Sequence, residues 1–287
     1  MTFRALAPQL HSTALAARAY FHSEHGATGF VVEEAFAKNS NYVTTFTAKL
    51  ADHYAVCIEV RDKAYATALD EFVVECITAS LPVKLYVAMP TGAGSYKEFK
   101  DDLLCARRRG VGIVEVDNAG GTVLNPAVSL SLAGLRRVRP LDYPQKIRQA
   151  LRDAENTFLM GDPPKGCGNV YDLIENLTRA LARKMSTNGM WPTAPNFNFD
   201  ADPWQNIMDH VQKNANFQIV RGVCPDLKPP LFAQVCGIIP NRNESGHRPK
   251  TRAQLKSRDE KLKTRFETAC DLLRDLILAV RPLRIRC

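Results

Sequence analysis

The sequence has 287 residues, which is enough for two ordinary domains or one large one. Hydrophobic residues make up 45% and charged residues 24%, values typical of globular proteins, and no stretch approaches the roughly 20 apolar residues of a membrane span. The eight cysteines are scattered without a Cys-x-x-Cys pair and no signal peptide is visible, so we expect a cytoplasmic protein with reduced thiols and no membrane contact.

The positive charge is concentrated at the C-terminal end. Residues 1–140 carry 15 basic and 14 acidic side chains, whereas residues 242–287 carry 13 basic and 6 acidic ones, a net +7 of the chain's +8. Such a segment attracts phosphate backbones by counterion release, although a solvated helix face is the ordinary alternative. The charge therefore indicates RNA or DNA as a partner.

The first half alternates between helical and strand-like patterns. Helices are predicted over 12–25, 64–80 and 96–109, with a short helical stretch at 29–36, and strands over 41–50, 53–60, 83–89 and 111–116. This order predicts a mixed β-sheet flanked by helices. Glycine, proline and charge punctuation over 118–144 predicts a boundary near residue 141, and hence domains at 1–140 and 141–287.

One stretch of this half carries possible metal ligands. Asp52 precedes a predicted strand, Glu59 lies on it, and Arg61 and Lys63 follow. The order of elements and these residues resemble the PD-(D/E)xK restriction-endonuclease-like fold, in which two carboxylates hold a divalent cation and a lysine two places after the glutamate orients water. Here Arg61 occupies that lysine's place, and arginine does not deprotonate. The resemblance therefore implies a degenerate sensing or scaffold domain, with a metal site at Asp52, Glu59 and Lys63 as the alternative.

The second half is predicted to be helical. Helical spacing or capping signals occur over 144–160, 169–186, 202–214, 229–238 and 258–280. Ser257 and Glu260 have the spacing of a capping box, which predicts that the last helix begins there. The overall prediction is an α+β protein whose sheet domain is followed by a helical bundle.

The run Asn-Arg-Asn-Glu-Ser-Gly-His-Arg-Pro is predicted to form a turn before the last helix. It contains Arg242, Asn243 and His247. Histidine titrates near neutrality and suits general acid–base chemistry, while arginine holds phosphate oxygens as charge develops on them. Two other Arg–His pairs at comparable spacing, Arg4/His11 and Arg18/His25, have six intervening residues where Arg242 and His247 have four, and the helical, basic surroundings of Arg242 distinguish it from both. This run resembles the Arg-polar-x3-His signature of HEPN ribonucleases.

The resemblance to HEPN domains extends to a Glu-x3-Arg pair on a predicted helix, Glu175 and Arg179, for which a surface salt bridge is the ordinary reading. It implies a homodimer that cleaves RNA without a metal cofactor in an anti-phage, abortive-infection or toxin role, and it leaves room for a protein trigger or antitoxin. Candidate RNA-binding side chains follow the motif: Arg248, Lys250, Arg252 and Lys256.

Three functions follow from these patterns. The first is a HEPN-type endoribonuclease with Arg242, Asn243 and His247 as catalytic residues. The second is a metal-dependent DNA nuclease that uses Asp52, Glu59 and Lys63. The third is a sensor module that binds nucleic acid without turnover.

Overall fold

The computed structural model describes residues 3–36, 42–65, 68–135, 143–159, 162–191, 198–242, 249 and 251–285. It is an α+β protein with a six-stranded mixed sheet in the N-terminal half and a helical C-terminal region. The predicted fold class is confirmed at that level. Among the described helices, none combines the length and apolar content that a membrane span requires.

The sheet follows the chain in simple order. Its strands are β1 (Thr28–Val32), β2 (Phe46–Lys49), β3 (Ala55–Val60), β4 (Val83–Pro90), β5 (Gly112–Asp117) and β6 (Gly120–Asn125), and they lie in the order β1-β2-β3-β4-β5-β6. Strands β3, β4 and β5 are parallel, and the other neighbours are antiparallel. Parallel neighbours need crossover connections. These are helices α2 (Ala68–Thr78) and α3 (Phe99–Arg109), while α1 (His11–His25) precedes the sheet and α4 (Leu130–Ala133) follows it.

Side chains alternate between the two faces of the sheet along each strand. Both faces of its central strands are buried, and each belongs to a different core cluster. On β3, Val56, Ile58 and Val60 belong to one core cluster, which also contains Phe21 of α1. On the other face, Cys57 joins a second cluster with residues of α2, α3 and β4, including Leu69, Phe72, Leu85, Val87 and Ala106. Burial on both faces explains the nearly continuous apolar run of β4.

Several predicted elements of the first half are corrected by the structure. Residues 29–32 of the stretch 29–36, predicted to be helical, belong instead to edge strand β1, which follows the end of α1 at Gly26. Residues 120–125, interpreted as boundary punctuation, form β6, which pairs with β5 through a hairpin in which Asp117 faces Gly120.

The helical region contains α5 (Gln145–Leu159), α6 (Pro163–Thr187), α7 (Trp204–Asn214), α8 (Phe217–Val223), α9 (Pro229–Arg242) and α10 (Arg252–Val280). Helix α8 was not predicted. Helix α9 continues beyond the predicted end at residue 238, so Arg242 is its last helical residue and not part of the following turn. Helix α10 begins six residues before the predicted start at 258. The capping-box prediction is therefore wrong, and Thr251 Oγ1 accepts a hydrogen bond from the Gln254 amide at 3.2 Å instead.

The chain forms two compact units, each made of more than one segment. The first unit comprises Met1–Leu135, Leu159–Gly161 and Arg248–Lys261, and the second comprises Arg136–Phe158, Asp162–His247 and Leu262–Cys287. The first turns of α10 belong to the first unit for a physical reason. Leu255 is fully buried in the core that contains Val56 and Ile58, and the buried Asp259 carboxylate accepts hydrogen bonds from Tyr54 (3.0 Å) and Ser131 (2.6 Å).

Candidate active site on helices α6 and α9

The candidate site lies within the second unit and begins with one face of α6. Asp172, Glu175 and Arg179 are three and four residues apart, a spacing that places side chains on the same side of a helix. Arg179 donates from Nε to Glu175 Oε1 at 2.8 Å. Its Nη1 and Nη2 donate to the backbone oxygens of Phe199 (2.7 Å) and Asp202 (2.9 Å). Three acceptors therefore fix the Arg179 guanidinium.

The Glu175–Arg179 pair is not the exposed surface salt bridge that its spacing first indicates. The side chains of Glu175 and Arg179 are only 12% and 14% exposed. An anchor lies one turn away, where Trp204 Nε1 of α7 donates to Thr178 Oγ1 at 2.9 Å. A buried carboxylate needs hydrogen-bonding partners, because desolvation without them costs several kcal/mol. Glu175 is therefore held in a defined position within the helical unit.

Arg242, at the end of α9, reaches the second oxygen of the same carboxylate. Its Nη1 donates to Glu175 Oε2, and its Nη2 lies 2.9 Å from Asp172 Oδ1. Glu175 thus bridges two arginines, Arg179 through one oxygen and Arg242 through the other. The structure brings together Arg242, Glu175 and Arg179, which the sequence analysis selected from segments 67 residues apart.

Asp172 was not selected from the sequence. It lies one turn before Glu175 on the same face of α6, and its side chain is 53% exposed. The helical spacing of three residues is the signal that identifies it in retrospect. Its carboxylate forms an ion pair with the guanidinium of Arg242, so Asp172 is a second, more exposed partner for this arginine.

The arrangement leaves Arg242 able to bind a further anion. A guanidinium has five N–H donors in a planar fork, and the two carboxylates leave some of them unused. The Arg242 side chain is 38% exposed, so a phosphate oxygen has access to it. Glu175 and Asp172 both contact the guanidinium, and part of the Arg242 side chain remains exposed to solvent. Asn243 and His247 lie outside the described residues, as do Arg248 and Lys250.

The other two predicted RNA-binding residues, Arg252 and Lys256, belong to the first unit. Lys256 Nζ donates to the backbone oxygen of Ala79 at 2.8 Å, which ties it to the protein. The Arg252 guanidinium lies 4.3 Å from the centroid of the Phe36 ring, and burial lowers its pKa below the usual value. Lys256 is therefore occupied by a backbone acceptor, whereas Arg252 has an aromatic neighbour and no carboxylate partner among the described residues.

The alternative metal site is not assembled. Asp52 precedes β3 and Glu59 is the fifth residue of β3, so the strand alone separates them by about 13 Å at about 3.3 Å per residue. Ligands of one cation lie within about 2.6 Å of it. Each side chain also has another partner: Asp52 binds Lys84 (2.9 Å), Glu59 binds Arg61 (3.1 Å), and Lys63 Nζ lies 5.7 Å from the centre of the Tyr96 ring. Burial raises the pKa of Glu59.

Comparison with known proteins gives no relative for this arrangement: no protein-family model matches the chain, and neither a curated protein nor a solved structure matches it.

Proposed function

We propose that the second unit is a metal-independent endoribonuclease of the HEPN type. The observation that carries the proposal is the bridging carboxylate of Glu175, which holds Arg179 through one oxygen and Arg242 through the other. The Glu-x3-Arg pair and the Arg–His run were selected separately by their resemblance to HEPN sequences. Arg179 and Arg242 contact the same buried carboxylate, as residues of one site must. Two unrelated surface features would not be expected to share it.

The chemistry follows from the residue types. His247 takes the proton of a ribose 2′-hydroxyl, whose oxygen attacks the adjacent phosphorus. The bond from phosphorus to the 5′-oxygen breaks, and that oxygen receives a proton from an imidazolium. The products are a 2′,3′-cyclic phosphate and a 5′-hydroxyl, with no water or redox partner consumed. A homodimer would supply a second copy of His247 for the second proton transfer.

Arg242 stabilises the negative charge that grows on the non-bridging oxygens, and Asn243 orients the scissile phosphate. Fixed donors are effective here because they need no reorganisation as the charge develops. Glu175 supplies that fixation as a positioning residue, since it contacts Arg242 and not the phosphate. Lysine is a poor replacement for Arg242 because it cannot engage a carboxylate and a phosphate with one planar group.

The metal-dependent DNA nuclease has less support, because Asp52 and Glu59 are each paired with another side chain, Lys84 and Arg61. The binding module without turnover differs from the proposal in one measurable outcome, which is product formation. Under the proposal, overproduction of the protein arrests cell growth, as expected for the abortive-infection or toxin role, and His247→Ala abolishes the arrest.

The decisive experiment incubates the purified full chain with end-labelled RNA, with and without EDTA, and identifies the product termini. Wild-type protein should produce 2′,3′-cyclic phosphate ends in both conditions. His247→Ala and Arg242→Lys should lose at least about 100-fold in rate, given the usual contribution of acid–base groups and oxyanion donors. Arg221→Ala, which removes an exposed arginine of α8 in the same unit, is the matched control and should retain full activity.

Two results would contradict the proposal: cleavage that EDTA abolishes, or full activity of His247→Ala. Salt-dependent RNA binding with no product under any condition would instead establish the non-catalytic module.

A further inference from the structure

A small cavity on the first unit gathers basic side chains. It has a volume of about 290 Å³ and is lined by Lys49, His53, Ala55, Thr251 and Arg252. Pockets for drug-sized ligands usually span about 300–1,000 Å³. This cavity lies at the lower end of that range and has room for a small group such as a phosphate.

The β2–β3 turn fixes two of the lining residues. Lys49 is the last residue of β2 and pairs with Ala55 of β3. Between them, the Leu50 amide donates to the Tyr54 oxygen (2.9 Å) and the His53 amide donates to the Leu50 oxygen (3.0 Å). His53 has φ of 69°, a conformation that the tight turn imposes. The turn thus holds Lys49 and His53 at the edge of the same cavity.

Within the part of the chain that the structure describes, Lys49 and Arg252 have no carboxylate partner. Among the described residues, His53 Nδ1 is also buried without a hydrogen-bonding partner. Asp52, the acidic residue next to His53, is already paired with Lys84 at 2.9 Å. Clustered positive charges repel one another, and an unpaired buried nitrogen costs free energy. A bound anion relieves the repulsion between Lys49 and Arg252.

The start of α10 also favours negative charge at this cavity. Thr251 lines the cavity and caps the helix, and the first turn of α10 contains no acidic side chain. Amide groups in a first helical turn lack intrahelical acceptors, and the helix dipole favours negative charge there. These amides supplement Lys49, Arg252 and His53.

We propose that this cavity binds a phosphate group, either as a free small anion or as the terminal phosphate of a nucleic acid. Lys49 and Arg252 supply the two full charges, and His53 lines the cavity beside them. The site does not include Arg242, and its test through Lys49 and Arg252 does not rest on the proposed ribonuclease activity.

The test is calorimetric titration of the full chain with inorganic phosphate, against sodium chloride at equal ionic strength. Wild-type protein should bind saturably, and Lys49→Gln should weaken binding by about tenfold or more, as expected when one charge-assisted hydrogen bond is lost. Arg252→Gln should have a similar effect. Because Arg252 also contacts Phe36, circular dichroism checks that this variant folds, and Lys49→Gln remains the primary test.

Lys97→Gln, which removes an exposed lysine of the same unit outside the cavity, is the matched control and should bind as wild type. A second titration uses single-stranded DNA of one length with a 5′-phosphate or a 5′-hydroxyl. Tighter binding of the phosphorylated strand, lost in Lys49→Gln, identifies a nucleic-acid end as the source. Equal binding of the two strands, together with saturable inorganic phosphate, identifies a free anion.

The proposal is overturned if wild-type protein binds neither inorganic phosphate nor the phosphorylated strand. It is also overturned if Lys97→Gln weakens binding as much as Lys49→Gln does, because that result indicates a diffuse charge effect.

Discussion

The bridging role of Glu175 leads to a prediction about stability that does not depend on catalysis. Glu175→Gln keeps the shape of the side chain but removes the charge that Arg179 and Arg242 share. Arg179 is 14% exposed and retains the Phe199 and Asp202 carbonyls, whereas Arg242 is 38% exposed and can be solvated. Two charge-assisted contacts are weakened, so we expect a loss of about 2 kcal/mol in the free energy of unfolding.

Asp172→Asn is the matched control for this prediction. Asp172 contacts the same guanidinium of Arg242, but its side chain is 53% exposed. Exposed ion pairs contribute about 1 kcal/mol or less. The comparison therefore tests burial together with the second arginine contact of Glu175, since both substitutions replace a carboxylate by an amide beside Arg242.

The chain offers a selective probe for the measurement. Its two tryptophans, Trp191 and Trp204, are both buried in the second unit, at 2% and 4% exposure. Their fluorescence during urea denaturation reports this unit. With a urea dependence of about 2 kcal/mol per molar, Glu175→Gln should lower the midpoint by about 1 M and Asp172→Asn by less than about 0.5 M. Equal midpoints for the two variants would refute the reasoning about the buried carboxylate.

Three further predictions concern the first unit. Thr251→Ala should destabilise the start of α10 by about 1 kcal/mol, the usual contribution of a cap, while Ser257→Ala should be neutral or slightly stabilising. Hydrogen exchange of the first α10 amides should therefore be faster in Thr251→Ala than in Ser257→Ala, and the opposite result would contradict the assignment of Thr251 as the cap. Burial raises the pKa of Asp259 above its unfolded value, so the stability contributed by its neutral form is present below about pH 4 and is lost as pH rises through the folded pKa. Asp259→Asn should flatten the pH dependence of exchange in β3, and an unchanged slope would contradict this assignment. Glu59→Gln should leave the rate of RNA cleavage, with and without EDTA, unchanged within about twofold. Loss of cleavage would support the alternative metal site at Asp52 and Glu59.

The strands that sequence patterns predicted are the buried ones. Strands β3, β4 and β5 carry dense β-branched and apolar residues because both faces of the sheet are covered. Strand β6 is mostly exposed and begins with two glycines, so it lacks both signals. A Cβ at Gly121 would lie 2.6 Å from the Tyr20 ring, so close packing against α1 requires that glycine. Contacts distant in sequence therefore explain a residue that local propensity assigns to a loop.

The candidate site was predictable in part. Helical spacing identified Glu175 and Arg179, and the Arg–His run identified Arg242, but no local pattern showed that all three share one carboxylate. The sequence could not predict that the backbone carbonyls of Phe199 and Asp202 hold Arg179, since every residue type has a backbone carbonyl. The start of α10 was mispredicted because Ser257 and Glu260 match a capping box inside a helix that Thr251 had already begun.

The assignment of Arg248–Lys261 to the first unit has a consequence for how the protein is made. The sheet core cannot be completed when the ribosome has finished residue 135, because Leu255 and the acceptor for Tyr54 and Ser131, Asp259, have not yet been synthesised. The nascent sheet must persist with an open patch while more than a hundred further residues emerge. A gene fragment ending near residue 140 should therefore yield an aggregation-prone product, and separating the units for biochemical work requires grafting residues 251–261 back onto the first.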